Sequence, residues 1–440
     1  MLNEIVNRLF GFRRPNLPLV VTPLPLTVLS CPSLLAFSLI GGDGFPLKPT
    51  VKEGDEVKAG QFLAHDGGRP ALVSPVSGKV KMLTPSPDLR GARSGVAVII
   101  EPAADSSPVV FAPLDAEKAT AEALRERIEK AGIITDSLRP RPLIDLLAAN
   151  APTPAVVCVL ALDREPEVSS ALQSFLERPD DAAAAAKMMA RAAGAGRAAL
   201  AVPESMSGEV SGAVVRRGVE VLPVPAVYPQ SLEPMVALRL GKGPVRIVAV
   251  ETALAAYDAV TRGKVQDRKT LTVIGPDGHP AGNFSVAVGA PIGTALAAAG
   301  VGAESGDKVV AGGVMRGYAQ YSLESAVDPG LDALVVIAEE DVVHWTDDPC
   351  VNCGACAAVC PVNLQVQLIG RYSEFGIFDR AEEFKAQYCI ECGLCGSVCT
   401  ARRPLLQLMR LAKQEIALRA AERRARERSE AERRENGEAA

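Results

Sequence analysis

The chain lacks an excess of positive charge. Lys and Arg total 47 against 52 Asp and Glu, for a net charge of −5, so nothing draws the whole molecule toward nucleic acid. It also lacks an unbroken apolar run long enough to read as a membrane-spanning helix. The longest uncharged stretch, Asn16 to Gly42, is interrupted by Pro18, Pro23, Pro25 and Pro32, which remove helix donors and clash with the preceding turn. That stretch is expected to be extended chain or strand with buried sides, preceded by a short amphipathic helix at "EIVNRLFGF". The opening residues show no apolar core followed by a small-residue cleavage site, so no signal peptide is expected. No C-x-x-C-H occurs, which excludes a c-type haem. At 440 residues the chain exceeds one compact domain.

Cysteine is present and unevenly placed. Of ten cysteines, Cys31 and Cys158 stand alone in apolar surroundings and are expected in the core, while the other eight lie between Cys350 and Cys399. Clustering of that kind argues for metal rather than disulfides. The first group, "CVNCGACAAVCP", holds Cys350, Cys353, Cys356 and Cys360; the second, "CIECGLCGSVCT", holds Cys389, Cys392, Cys395 and Cys399. Both are spaced C-x2-C-x2-C-x3-C, with Thr400 where the first group has Pro361. Three thiolates at this interval let one loop wrap a cubane, and in two-cluster ferredoxins the fourth cysteine ligates the other cube. Cys350, Cys353, Cys356 and Cys399 are therefore assigned to one [4Fe–4S] cluster, and Cys389, Cys392, Cys395 and Cys360 to a second. A structural zinc site calls for two C-x2-C pairs, not a repeated set of four. Gly354, Gly393 and Gly396 suit a tight backbone around the sulfurs. The segment "LIGRYSEFGIFDRAEEFKAQY" between the groups reads as helical. After Cys399, Leu405, Leu406, Leu408, Met409 and Leu411 form the apolar face of a helix, which becomes charged from about Glu415 and is expected to fray.

Upstream, "VKEGDEVKAGQFLAHDGGRPALVSPVSGKVKML" reads as short strands separated by turns, the pattern of a barrel-sandwich. Its hairpin "HDGGRPA" has no Lys, and Lys58 and Lys79 lie in strand or turn positions on either side, so a covalent carrier role is not expected. Between Pro108 and Leu240 helical and strand signals alternate: "LDAEKATAEALRERIEKAG", "TPAVVCVLAL", "DDAAAAAKMMARAAGAG", "RAALAVP" and "GVEVLPVPAVYP". This predicts a three-layer α/β unit with a parallel sheet.

The order of "PTVKEGDEVKAGQ", "VSPVSGKV", "YPQSLEPMVALRLG", "LTVIG…PAGNFSVAVGAPI", "AGGVMRGYA" and the two cysteine groups resembles the RnfC family, which supplies one subunit of the Rnf-type ion-translocating electron transport complex. More distantly it resembles the cobalamin reductase of propanediol metabolism. The resemblance covers about residues 35 to 412. It implies a multidomain α/β and α+β fold: an N-terminal extension (1–34), a barrel-sandwich hybrid (35–104), a Rossmann-like α/β domain (105–240), a β-grasp module of SLBB type returning to the barrel-sandwich (241–340), a ferredoxin-like two-cluster domain (341–412) and a charged tail (413–440). It also implies a place on the cytoplasmic face of a membrane, held by membrane subunits, and an oxidoreductase complex that couples electron transport to ion translocation.

In the family the α/β domain takes NADH and FMN through a loop G-x-G-G-x-G-F-P-T. Here that place is "AGIITDSLRPRPLIDLL", where only Gly132 remains. Thr135, Asp136 and Leu138 replace glycines, bulk at Ile133, Ile134 and Leu138 is expected to block a phosphate, and Asp136 is expected to repel it. Of the family's acidic motif E-C-E-P, Glu165 and Pro166 survive. "AGAG" at Ala193 to Gly196 is a weak substitute. "GGDGFP" at Gly41 to Pro46 is not followed by a helix and reads as a turn. FMN and NADH are therefore not expected to bind, and electrons are expected to arrive from a protein partner such as a ferredoxin or cytochrome. Two readings compete: an NADH- and FMN-dependent reductase, which an intact glycine loop would favour, and a docking scaffold whose clusters are only structural.

Overall fold

Short strands joined by self-satisfied turns build the first part of the chain. In the computed structural model, which describes residues 15–41, 46–66, 69–87, 89, 94–147, 153–210 and 217–435, these are β1 (Leu26–Val28), β2 (Leu35–Ser38), β3 (Lys48–Pro49), β4 (Glu56–Val57), β5 (Phe62–Asp66), β6 (Arg69–Val73), β7 (Gly78–Pro87) and β8 (Ser94–Pro102). The Lys52 amide donates to the Asp55 carboxylate at 2.9 Å, closing one turn as a short acidic side chain does. Strands β2, β8, β7 and β4 form one antiparallel sheet, and β3, β5 and β6 another. Leu35, Phe37, Leu63, Val80, Val98 and Ile100 are buried between them, an inward alternation that matches the strand period. Lys58 follows β4 and Lys79 lies in β7, as expected. The N-terminal helix expected at Glu4–Phe12 and the centre of "GGDGFP" lie outside the described residues.

The α/β unit follows. Its elements are α1 (Ala121–Lys130), α2 (Ile144–Leu147), β9 (Val156–Leu160), α3 (Ser170–Glu177), α4 (Pro179–Ala192), β10 (Arg197–Pro203), β11 (Glu220–Val224), α5 (Glu233–Arg239), β12 (Val245–Ala249) and α6 (Val250–Thr261). The sheet runs β11-β10-β9-β12 and every pairing is parallel. It takes in β12, beyond residue 240, where the sequence reading ends this unit. All five residues of β9 are buried, as a parallel strand covered on both faces requires. Val157 and Val159 pack among α1, α3, α4 and α6, and Cys158 and Leu160 pack toward Val236 of α5. Thr120 caps α1, its hydroxyl accepting from the Ala123 amide at 3.2 Å. Cys158 is buried, as expected; Cys31 is exposed. It follows β1 in irregular chain beside Pro32, outside any packed strand.

The chain then forms β13 (Arg268–Ile274), β14 (Pro280–Ala287), α7 (Ile292–Ala298), β15 (Lys308–Ala311), β16 (Tyr318–Gln320) and β17 (Ala333–Ile337). With β1 they make a six-stranded mixed sheet, ordered β1-β14-β13-β17-β15-β16. The proline-broken N-terminal stretch is thus divided: β1 joins this sheet and β2 the barrel-sandwich. Leu271, Val273, Phe284, Leu334 and Val336 share one core with Leu35, Phe37 and Ile100, so the two sheet systems are packed as one body.

A second compact unit begins at Val343. It contains α8 (Ala355–Val359), α9 (Val366–Glu374), α10 (Phe378–Glu383), α11 (Leu394–Ser397) and α12 (Leu405–Glu435). The linker expected to be helical is split between α9 and α10 at Gly376, whose φ is 69°. The buried stripe of α12 is Leu405, Met409, Ala412 and Ile416, while Leu411 is 40% exposed. The packed face therefore runs past residue 412, and the helix continues to Glu435. Among the described residues no helix is long and apolar enough to cross a membrane.

Candidate iron–sulfur centres

The two cysteine groups fold as copies of one another. Each loop bends through a left-handed residue between its first two cysteines, Asn352 (φ 55°) and Glu391 (φ 55°), and again after the second, at Gly354 (φ 79°) and Gly393 (φ 74°). These two glycines supply the tight backbone expected of them; Gly396 instead lies inside α11. A third matched bend follows each fourth cysteine, at Asn363 (φ 57°) and Arg402 (φ 44°). Between the second and third bends lie α8 and α11, each of which carries a third cysteine.

The thiols do not gather by sequence group. Cys350, Cys353, Cys356 and Cys399 line one cavity of about 280 Å³. Burial pushes the Cys356 thiol up to about 11; the Ala357 amide opposes this, and neighbouring Cys350, Cys353 and Cys399 add to it. Burial also pushes Cys389 up to about 11, against the Glu391 amide and Lys413, with Cys360 among its neighbours. Cys395 is raised well above the ordinary thiol range by burial and by Cys392, Cys389, Cys356 and Cys360. Cys399 thus sits with the first three cysteines of the other group, and Cys360 is a neighbour of Cys389 and Cys395. Among the described residues no three His, Cys, Asp or Glu side chains gather to hold a single metal ion; the first set of thiols surrounds a volume instead. An all-sulfur donor set spread around a cavity fits an iron–sulfur cube, and metal ligation displaces the protons that burial retains.

Backbone amides already point at sulfur. The Leu364 amide donates to Cys360 Sγ at 3.4 Å and the Glu391 amide to Cys389 Sγ at 3.4 Å. Several polar partners were missed in the sequence. Arg371 donates to Asn352 at 3.2 Å, and the repeat-equivalent Arg410 donates to Glu391 at 3.2 Å. Lys413 donates to the Glu391 carboxylate at 2.6 Å and to the Cys389 carbonyl at 2.8 Å. Arg403 reaches the Asp348 carbonyl at 2.7 Å and pairs with Glu374. Extending the cysteine repeat into the following helices would have revealed the Arg371–Arg410 match, because the same interval separates them as separates Cys350 from Cys389.

The second place to which the sequence points, the carboxyl ends of the parallel strands, is where open α/β sheets usually bind ligands. Asp136 is fully buried there, but it faces cations. Its carboxylate pairs with Arg164 and accepts from Lys269 at 2.8 Å. Arg164 also reaches Asp332 at 2.7 Å and Glu233 at 3.1 Å, and Lys269 pairs with Glu251. Asp136, expected from the sequence to repel a phosphate, has its charge paired internally with Arg164 and Lys269. Burial works against the charged form of Asp136, yet Arg164 and Lys269 outweigh it and hold the carboxyl well below the usual range. Asp332 goes the other way, pushed up to about 8 by burial despite Arg164, with Asp136 adding to the rise. Two cations stand among four carboxylates, which favours one retained proton.

Neighbouring groups are spoken for in the same way. The Asp163 carboxylate accepts from the Ala171 and Leu172 amides at 2.8 and 3.0 Å, filling the α3 N-terminus with the chain's own anion. Glu165 pairs with Arg316 at 3.0 Å and accepts from the Met315 amide at 2.9 Å. Gly132 follows α1 with φ 61°, and a Cβ there would lie 2.2 Å from Val73; close packing explains its retention. Ile133 is buried in the core. "AGAG" follows the end of α4, where carbonyls rather than amides are exposed, so it offers no phosphate seat.

Known proteins share both the cysteine region and the barrel-sandwich. Residues 343–400 match the family of 4Fe-4S dicluster domains, and residues 20–105 match the RnfC barrel sandwich hybrid domain. The C-type subunit of the ion-translocating oxidoreductase complex of Methanosarcina acetivorans is 30% identical over 421 residues, covering 85% of this chain and 90% of that protein. The chain belongs to the RnfC family. The same subunit of the Na(+)-translocating ferredoxin:NAD(+) oxidoreductase complex of Acetobacterium woodii is 28% identical, covering 85% of this chain and 88% of that protein. Its equivalent in the proton-translocating ferredoxin:NAD(+) oxidoreductase complex of Clostridium ljungdahlii is 26% identical, covering 89% and 90%. This RnfC-family chain is an iron–sulfur electron-transfer subunit of an Rnf-type complex.

Proposed function

We propose that this RnfC-family subunit holds two [4Fe–4S] clusters with crossed ligand sets and passes electrons through them without binding FMN or NADH itself. Cys350, Cys353, Cys356 and Cys399 hold the first cluster; Cys389, Cys392, Cys395 and Cys360 hold the second. The observation that carries this reading is the exchange of the fourth thiol between the two groups. When bound, the clusters supply one-electron exchange at thiolate-ligated iron. The chain's own residues do the rest: left-handed loop bends aim the sulfurs inward, amides of Leu364 and Glu391 donate to them, and α12 shields the second set from water.

The parallel sheet is read as a degenerate Rossmann-like domain and the six-stranded sheet as a β-grasp module. The strand ends that would receive a dinucleotide carry the internal ion network, which supports electron delivery by a protein partner, a ferredoxin or cytochrome. Membrane subunits of the complex would hold this chain peripherally at the cytoplasmic face. The test is anaerobic purification of the full chain, with iron, sulfide, zinc and flavin assayed together. About eight irons with matching sulfide and no retained FMN are expected. Stoichiometric zinc without a reducible EPR signal rejects the clusters, and stoichiometric FMN with NADH-driven cluster reduction rejects the flavin-free reading.

A further inference from the structure

The internal repeat extends beyond the cysteines, and its two halves are not electrically equivalent. Arg371 on α9 and Arg410 on α12 occupy matched positions and reach matched loop residues, Asn352 and Glu391. The first loop thus offers its arginine a neutral amide and the second a carboxylate. One turn further on, Glu374 and Lys413 are also matched in the repeat and carry opposite charge. Glu374 turns to Arg403. Lys413 turns to the second cysteine loop, where it holds both the Glu391 carboxylate, at 2.6 Å, and the carbonyl of Cys389, at 2.8 Å.

Burial magnifies this difference. The Glu391 side chain is 4% exposed, Arg410 14% and Lys413 19%, whereas Arg371 and Glu374 are exposed. A charge shielded from water acts on its neighbours far more strongly than one at the surface. A reduced cluster carries one more negative charge than an oxidised one, and nearby charge, hydrogen bonds and exposure set its potential. A cation fixed against the backbone of a ligand cysteine favours the reduced form; the carboxylate beside it favours the oxidised form.

We propose that Lys413 and Glu391 are positioning residues that tune the second cluster selectively, the ammonium raising its potential and the carboxylate lowering it, while the first cavity is lined by a different pair, Arg403 and Glu374. This rests on the two-cluster reading above. The Glu391 backbone seats the Cys389 sulfur while its side chain seats Lys413, so one residue joins ligand geometry to local charge.

The experiment is an EPR-monitored potentiometric titration of the full-length, iron-loaded chain, with the two signals assigned through Cys350→Ser, which removes a ligand of the first cluster. Lys413→Met is expected to shift the second cluster to lower potential and leave the first in place. Lys413→Arg is expected to restore most of the shift, and Glu391→Gln to move the same cluster upward. Opposite shifts confined to one cluster are a signature that loosened packing does not produce. If Lys413→Met loses iron, Glu391→Gln, which retains the lysine, decides the matter. Unchanged potentials, equal shifts in both clusters, or shifts of one sign in Lys413→Met and Glu391→Gln overturn the proposal. A wild-type chain without iron and sulfide instead overturns the cluster reading, which separates the two failures.

Discussion

The cysteine repeat and the strand ends of the parallel sheet both concentrate polar chemistry in sheltered places, but they end in opposite conditions. Around the first cavity the strong donors are thiols, which neighbouring amides and arginines approach without neutralising. At the strand ends, Asp136, Arg164, Lys269 and Glu251 satisfy one another, and Asp163 satisfies the helix terminus that an external anion would have used. Family resemblance alone points to a ligand at both places. Following each polar group to its partner shows which of them the chain already satisfies itself.

The sharpest way to break this contrast is to exchange the sites' dependence on a guest. Cys360→Ser is expected to abolish or perturb the cluster of Cys389, Cys392 and Cys395, and Cys399→Ser the other. Site-resolved spectroscopy checks it, and damage confined to the mutated residue's own sequence group reverses the assignment. Next in size is the closed network. Arg164→Leu leaves buried carboxylates without their cation and is expected to cost about 3–5 kcal/mol, read by denaturant unfolding. Its iron content per folded molecule should stay at the wild-type value, since the network contains no cysteine.

A gentler probe is pH. An unfolded Asp loses its proton near 3.9, whereas burial keeps Asp332 protonated up to about 8. Between those values the unfolded chain binds fewer protons, so this group's contribution to stability declines as pH rises. Asp332→Asn is expected to flatten that decline in unfolding curves from pH 5 to 8; an unchanged slope refutes the assignment. Asp136, held low, acts oppositely, its contribution disappearing only as pH falls below the unfolded value. The smallest expected effect is Gly132→Ala, which combines positive φ with a clash against Val73 and should cost about 1–3 kcal/mol. A loss of that size in denaturant unfolding supports a packing role; an unchanged stability refutes it.

Much of this was legible in the residues. "RAALAVP" is β10 from end to end and "TPAVVCVLAL" contains β9, because buried parallel strands write themselves as continuous apolar runs. The cysteine spacing carried the expectation of crossed ligands because a local loop geometry underlies it. The fate of Asp136 was not legible: Lys269 and Asp332 lie far along the chain, and only folding brings them to it. Glu391 was overlooked for the same reason, since its meaning depends on Arg410 and Lys413 of a helix whose inner face extends to Ile416. Local periodicity announces an element; partners distant in sequence decide what its polar residues do.

The edge strand β1 imposes an order on the birth of the molecule. Leu26 pairs with Asn283, the Asn283 amide donates to the Leu24 carbonyl at 2.9 Å, and Arg268 reaches the Leu29 carbonyl at 2.7 Å. On the ribosome, residues 24 to 29 emerge long before these partners, at about 5–20 residues per second. For many seconds the nascent chain carries this strand with no sheet to join. Its docking therefore waits for the β13–β14 hairpin, so a segment made early is seated late.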